Sequence, residues 1–206
     1  MKRIKIKDKT FRPFISTPAI EEATRVLASR LNDKYKNETT PVRFVVVLNG
    51  ALPFAMSLFT KLKFPVELDT IKLKSYDGVF RKDIDIERGC NMGGYGDKKV
   101  IVVDDIIDTG HTMEFLADYF KDSINVLFVA LLFKIDVYEH THPMFSYWDW
   151  ESGKYNNKML CGIEIHDSDP ENSSFVVGYG LDYKGLGRNL NKIYILENVP
   201  ELDFDE

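Results

Sequence analysis

The stretch VIVVDDIIDTGHT (100–112) sets three carboxylates, two hydroxyls and a glycine directly behind an apolar run. Gly110 lets the backbone come close to a ligand, and successive N–H groups at a helix start form a nest for an anion. Thr109 and Thr112 add hydroxyl donors. Asp104 and Asp105 can accept from two vicinal hydroxyls or reach a metal through water. Asp108, at the edge of the loop, can take a proton from a group above it. A phosphate alone would not be met by three acids. The pattern asks for a ligand that also carries sugar hydroxyls, a divalent metal and a proton to lose. The plainer alternative is a buried strand followed by a helix that Asp108 or Thr109 caps. Neither a Walker GK[ST] nor a GxGxxG helix start is present.

The elements that must hold this loop can be read from periodicity. Thr17-Pro18 looks like a helix start, with Thr17 as the capping hydroxyl, and Ile20, Ala23, Leu27, Ala28 and Leu31 recur at helical spacing. RFVVVLNG (43–50), VIVVDD (100–105) and INVLFVALLFK (124–134) are continuous apolar runs of the kind buried on both faces of a sheet. VELDTIKLKSY (66–76) alternates in part, as a strand does. PFAMSLFTKL (53–62) and MEFLADYFK (113–121) fall between strands as helices. Strands alternating with helices predict an α/β fold with a mainly parallel central sheet flanked by helices. Ligands of such sheets lie beyond the carboxyl ends of the strands, where LNGA, DDIIDTGHT and LFK all fall.

The chain of 206 residues reads as a single domain, 44% hydrophobic and 29% charged, values ordinary for a globular protein. Its net charge of −5 speaks against a nucleic-acid surface. No run approaches the length of a membrane span, and the basic start MKRIKIKDKTF lacks the apolar core of a signal peptide, so a cytoplasmic protein with no membrane partner is expected. Cys90 and Cys161 read as free thiols. The His140/His142 pair lacks the further ligands of a metal site. The segment 77–99 is long, charged and glycine-rich, which predicts a mobile lid or loose hairpin. The aromatic-rich segment 135–158 shows no clear period, and the acidic end PELDFDE is expected to fray.

DDIIDTGHT closely resembles the signature of type I phosphoribosyltransferases, an acidic pair followed by D-T-G-x-T after an apolar strand. Three further stretches resemble the hypoxanthine–guanine branch of that family. VVLNGALPF (46–54) is similar to its pyrophosphate loop, KLKSYDG (72–78) to the start of its closing loop, and FVVGYGLDYKGLGRNL (175–190) to its C-terminal signature. The resemblance spans about Phe11 to Leu196. It implies the type I phosphoribosyltransferase fold, with a small hood built from about 1–15 and 160–200. It also implies purine salvage, with phosphoribosyl pyrophosphate and a 6-oxopurine as substrates, Mg²⁺ as cofactor, and a homodimer or homotetramer as the assembly.

Residue by residue, the resemblance makes Asp108 the general base and sets Asp104 and Asp105 on the ribose hydroxyls. The loop Asp108, Thr109, Gly110, His111 and Thr112 takes the 5′-phosphate, and Ile106 is implied as a further substrate-binding residue. Lys134 faces the purine 6-oxo group, Phe175 stacks on the base, and Val176 and the Asp182 backbone read its edge. Asn49 and Gly50 form the pyrophosphate loop, Ser75 and Tyr76 open the closing loop, and Arg188 meets pyrophosphate. Asp104, Asp105 and Asp182 are the implied metal ligands. Lys offers donors and no acceptor, which suits a 6-oxo purine and disfavours a 6-amino one. Taken alone, Lys134 would read as a solvated strand end, Phe175 as a core residue and Arg188 as a surface charge.

The chain also departs from the family. Asn49 and His111 stand where Lys is common, so only their backbone roles carry over. The stretches 135–158 and 162–174 are longer than usual. The alternatives are a xanthine-preferring transferase and a non-catalytic sensor of phosphoribosyl pyrophosphate. The absence of a helix-turn-helix extension, together with Lys134, Phe175 and Asp182, favours the enzyme.

Overall fold

A computed structural model describes residues 2–76, 83–88, 98–121, 123, 125–137, 157–166 and 175–197. Its centre is a six-stranded sheet in the order β5-β4-β3-β6-β7-β8. The strands are β3 (Val42–Leu48), β4 (Val66–Tyr76), β5 (Asp83–Arg88), β6 (Lys99–Ile107), β7 (Asn125–Lys134) and β8 (Asn157–Ile165). All neighbours run parallel except β4 and β5, which pair antiparallel.

The apolar runs become central strands because both faces of the sheet are covered. Phe44 and Val46 of β3, Ile101 and Val103 of β6, and Leu127 and Val129 of β7 enter one core. That core is closed by α1 (Thr17–Lys34) and α2 (Leu52–Phe59). The alternate residues Val45, Val100, Val102, Val126 and Phe128 enter the opposite core, under α3 (His111–Tyr119). A period of two thus divides each strand between two layers of helices. Burying a single Phe or Leu in such a core stabilises the fold by about 1.5–3 kcal/mol.

A second, antiparallel sheet in the order β1-β2-β10-β9 forms the hood. It comprises β1 (Ile4–Ile6), β2 (Lys9–Ile15), β9 (Val176–Val177) and β10 (Ile193–Leu196), held over a small core of Ile6, Phe11, Val177 and Tyr194. The hood is built from both chain ends, but its later part begins at β9. Residues 160–165, expected in the hood, belong to β8, whose backbone pairs with β7 in the central sheet.

Three local expectations shift. The cap of α1 is Ser16, whose Oγ accepts from the Ala19 N–H, and Thr17 Oγ1 instead donates to Asn191 O at 2.8 Å. The acidic pair lies inside β6, because pairing with β7 continues to Ile107↔Phe133. α2 stops at Phe59, short of the expected 62. Of the expected lid, 83–88 forms β5, a hairpin partner of β4, while 77–82 and 89–97 lie outside the described residues. Cys161 is a free thiol, pushed up to about 11 by burial and the Glu164 charge. Cys90, His140 and His142 lie outside the described residues. No described helix is long and apolar enough to cross a membrane.

Candidate active site

The order of the central sheet locates the site. From β3 the chain passes to β4 on one side, whereas β6, β7 and β8 succeed one another on the other. The loops leaving β3 and β6 therefore diverge and leave a crevice between their carboxyl ends. A cavity of about 380 Å³ fills that crevice. It is lined by Asn49 and Gly50 after β3, by Asp104 to Gly110 and Thr112 of β6 and its loop, and by Asp182 and Arg188 from the hood.

α3 begins without a side-chain cap. Its N-cap is Gly110, at φ 83°, so neither Asp108 nor Thr109 does the ordinary capping work. Only glycine adopts that backbone cheaply. The first-turn N–H groups of a helix have no intrahelical partner, which makes this end a place for an anion. Thr109 Oγ1 and His111 Nδ1 lie 2.8 Å apart, and Thr112 faces the cavity while His111 does not line it.

Asp104 and Asp105 form the acid pair of the crevice. The Asp105 N–H donates to Asp104 Oδ1 at 2.9 Å, and the Ile106 N–H donates to Asp105 Oδ1 at 3.0 Å. Burial pushes the Asp104 carboxyl well above the usual range, and the Asp105 charge beside it adds to the shift. Asp105 is raised as well, by burial, while hydrogen bonds from Asp104 and Ile106 and the Arg188 charge oppose the rise. Burial and the like charge beside it thus favour the protonated form of Asp104, and a cation between the two carboxylates would oppose that shift.

The glycines set how closely the loops approach. A Cβ on Gly50 would lie 1.8 Å from Asp105 Oδ2, so any side chain there would displace the acid pair. A Cβ on Gly180 would lie 1.9 Å from Gly50 O, and Gly180 has φ +103°. The hood turn is thereby pressed onto the β3 loop. Arg188 buckles the same turn, donating through Nη1 to Gly180 O at 2.7 Å and pairing through Nη2 with Asp182 Oδ1 at 2.5 Å. Asp182 Oδ2 accepts from the Gly185 N–H at 2.7 Å.

Asp182 lines the same cavity as Asp104 and Asp105. Among the described residues no three metal-ligating side chains converge. Asp182 sits on the hood turn, where its oxygens meet Arg188 and the Gly185 N–H. The acid pair by itself still fits a hard cation that draws one or two carboxylates from protein and the rest from ligand and water.

Lys134 ends β7 beside Asp108, with its Nζ 3.0 Å from Asp108 Oδ2. It is buried and does not line the cavity. Phe175 is 40% exposed, in a ring cluster with Phe11 and Tyr183. Val176 is buried in β9. Ser75 and Tyr76 end β4, and their backbones pair with Ile84 and Asp83. The apolar back of the cavity, Leu73, Met113, Leu116 and Phe128, reads in sequence as ordinary core. Gly180 was legible only as part of a GYG turn signal.

Comparison with known proteins agrees with this geometry. A family model of the phosphoribosyl transferase domain matches residues 15–133. A hypoxanthine-guanine phosphoribosyltransferase of Streptococcus pyogenes is 30% identical over 183 residues, covering 84% of this chain and 86% of that protein. The enzyme of the same name from Bacillus subtilis is 29% identical, covering 89% and 91%. The crystal structure of a hypoxanthine phosphoribosyltransferase from Staphylococcus aureus superposes with a TM-score of 0.68 at 26% identity, covering 90% and 91%. The crevice at the switch point and the uncapped turn of α3 thus sit in a chain that belongs to the phosphoribosyltransferase family, on its hypoxanthine-guanine branch.

Proposed function

We propose that the protein works in purine salvage, moving the 5-phosphoribosyl group of phosphoribosyl pyrophosphate onto hypoxanthine or guanine. The products are the nucleoside monophosphate and pyrophosphate. The observation that carries this reading is the single cavity that joins the acid pair, Asp108 and the uncapped turn of α3 to Arg188. The names and extent of the relatives support it.

The bond from ribose carbon 1 to the pyrophosphate oxygen breaks, and its electron pair leaves with pyrophosphate. A purine ring nitrogen forms the new bond to carbon 1, and Asp108 accepts the proton that the purine sheds. Asp104 and Asp105 take the ribose hydroxyls and stabilise the cationic sugar electrostatically. The α3 turn holds the 5′-phosphate through backbone N–H groups and the hydroxyls of Thr109 and Thr112. Phe175 offers an exposed ring for stacking, and the backbone around Val176 and Asp182 reads the edge of the base. Ser75 and Tyr76 stand at the end of β4. Asp104, Asp105 and Asp182 are the residues that would hold Mg²⁺, which would supply charge neutralisation of the leaving pyrophosphate.

Steady-state nucleotide formation from hypoxanthine, guanine, xanthine and adenine, with and without Mg²⁺, tests the reading. The 6-oxopurines are expected to turn over and adenine to be refused, because an amino group meets the donors of Lys134. A clear preference for xanthine would move the substrate assignment. Binding of phosphoribosyl pyrophosphate without turnover of any purine would make the protein a sensor.

Asn49 and Arg188 divide the pyrophosphate work. Asn49 brings no charge, although it lines the cavity beside Gly50. The Arg188 guanidinium is fixed there by Asp182 and Gly180 and can make charge-assisted bonds to phosphate. Arg188→Ala is expected to raise the KM for phosphoribosyl pyrophosphate about tenfold or more, the loss of one charged hydrogen bond. Asn49→Ala should change it by no more than about threefold, the weight of a neutral bond. The reverse ranking, at saturating Mg²⁺, would make Asn49 a direct ligand.

A further inference from the structure

We propose that Lys134 is the positioning residue of Asp108, holding its carboxylate toward the base and off the phosphate nest. The inference rests on the purine-salvage reading above and adds a second task to a lysine otherwise assigned to the 6-oxo group. Parallel pairing of Ile107 with Phe133 brings the next residues, Asp108 and Lys134, side by side at the ends of β6 and β7. Their 3.0 Å contact is asymmetric. The Lys134 side chain is 4% exposed, whereas that of Asp108 is 44% exposed and lines the cavity. The enclosed partner is the anchor, and the carboxylate is what it holds.

An aspartate two residues ahead of a helix N-cap has a competing use. Its carboxylate readily accepts from backbone N–H groups a few residues on, and the α3 dipole favours it there. In that position it would occupy the ground meant for phosphate. Here α3 has no side-chain cap. Instead, Asp108 Oδ2 is tied to Lys134, and Oδ1 is buried and makes no hydrogen bond among the described residues. A buried acceptor left open costs stability, and the contact with Lys134 is what holds the carboxylate in that arrangement. Lys134 therefore serves both ends of the crevice through one contact.

The test is a double-mutant cycle of Lys134→Met and Asp108→Ala, read as kcat and as the KM for each substrate. In the wild-type background Lys134→Met is expected to lower kcat on the order of 30-fold, part of what a general base contributes. It should also raise the KM for phosphoribosyl pyrophosphate about fivefold, as the released carboxylate competes for the helix end. With Asp108→Ala already present, both effects of Lys134→Met should shrink to less than about twofold, because the sites act as one unit. The double variant carries no buried unpaired charge, so it folds even if Lys134→Met alone is destabilised. Equal losses in the two backgrounds, or a change confined to the purine KM, would overturn the inference while leaving the salvage reading in place. A wild type that forms no nucleotide overturns both.

Discussion

Asp108→Asn is expected to keep the fold and the binding of phosphoribosyl pyrophosphate, and to lower kcat about 10²–10⁴-fold, the usual worth of a general base. Asn is the same size and still offers Lys134 an acceptor oxygen. The 3.0 Å contact can therefore survive as an ordinary hydrogen bond. What disappears is the ability to take a proton. Asp104 and Asp105 do not replace it, because they lie further back along β6 and face the sugar in the proposed arrangement. The measurement is kcat with hypoxanthine at saturating phosphoribosyl pyrophosphate, beside a thermal melt. Turnover within a few-fold of wild type would remove Asp108 from the chemistry.

Gly180→Ala is expected to cut kcat/KM for phosphoribosyl pyrophosphate on the order of 10²-fold, since misplacing a binding loop by about 1 Å can cost that much. Two constraints act on this position together. Its φ of +103° disfavours any side chain, and the added Cβ would lie 1.9 Å from the carbonyl oxygen of Gly50. Backbone cannot rotate away as a side-chain tip can. The hood turn must lift, carrying Arg188 away from the pyrophosphate loop, because Arg188 is bonded to Gly180 O itself. Left-handed strain and overpacking together should cost a few kcal/mol, lowering Tm by about 5–10 °C for a chain of this size. Gly50→Ala makes the useful contrast. Its clash is with the Asp105 side chain, which can turn, so stability should fall less while the acid pair is displaced. A Gly180→Ala enzyme with an unchanged KM for phosphoribosyl pyrophosphate would show that the two loops need not touch.

Much of the fold was legible because its signals are local. The runs at 43–50, 100–105 and 124–134 are buried strands, and each lies within a residue or two of the strand observed. Continuous β-branched and aromatic stretches pack well only in a sheet covered on both faces. The helix boundaries drifted, since the start of α1 is set by a side-chain cap and that of α3 by the backbone of Gly110. Ser16 displaced Thr17 once Thr17 found Asn191, a partner far away in sequence. The placement of 160–165 was missed for the same reason: a strand does not carry the identity of its neighbour.

The sequence by itself determined the chemistry on offer at β6, namely the acid pair, the glycine turn and Asp108 in one unbroken stretch. Spacing within a few residues on one strand and its loop leaves little freedom, so those residues had to arrive together. Only the tertiary structure decided what meets them. The β6–β7 register set Lys134 against Asp108, and the hood turn set Arg188 on Gly180 and Asp182. It also brought Asp182 to the same cavity as the acid pair. Contacts between distant segments depend on strand order and on which backbones can touch, here through two glycines. Neither is written in any local run of residues.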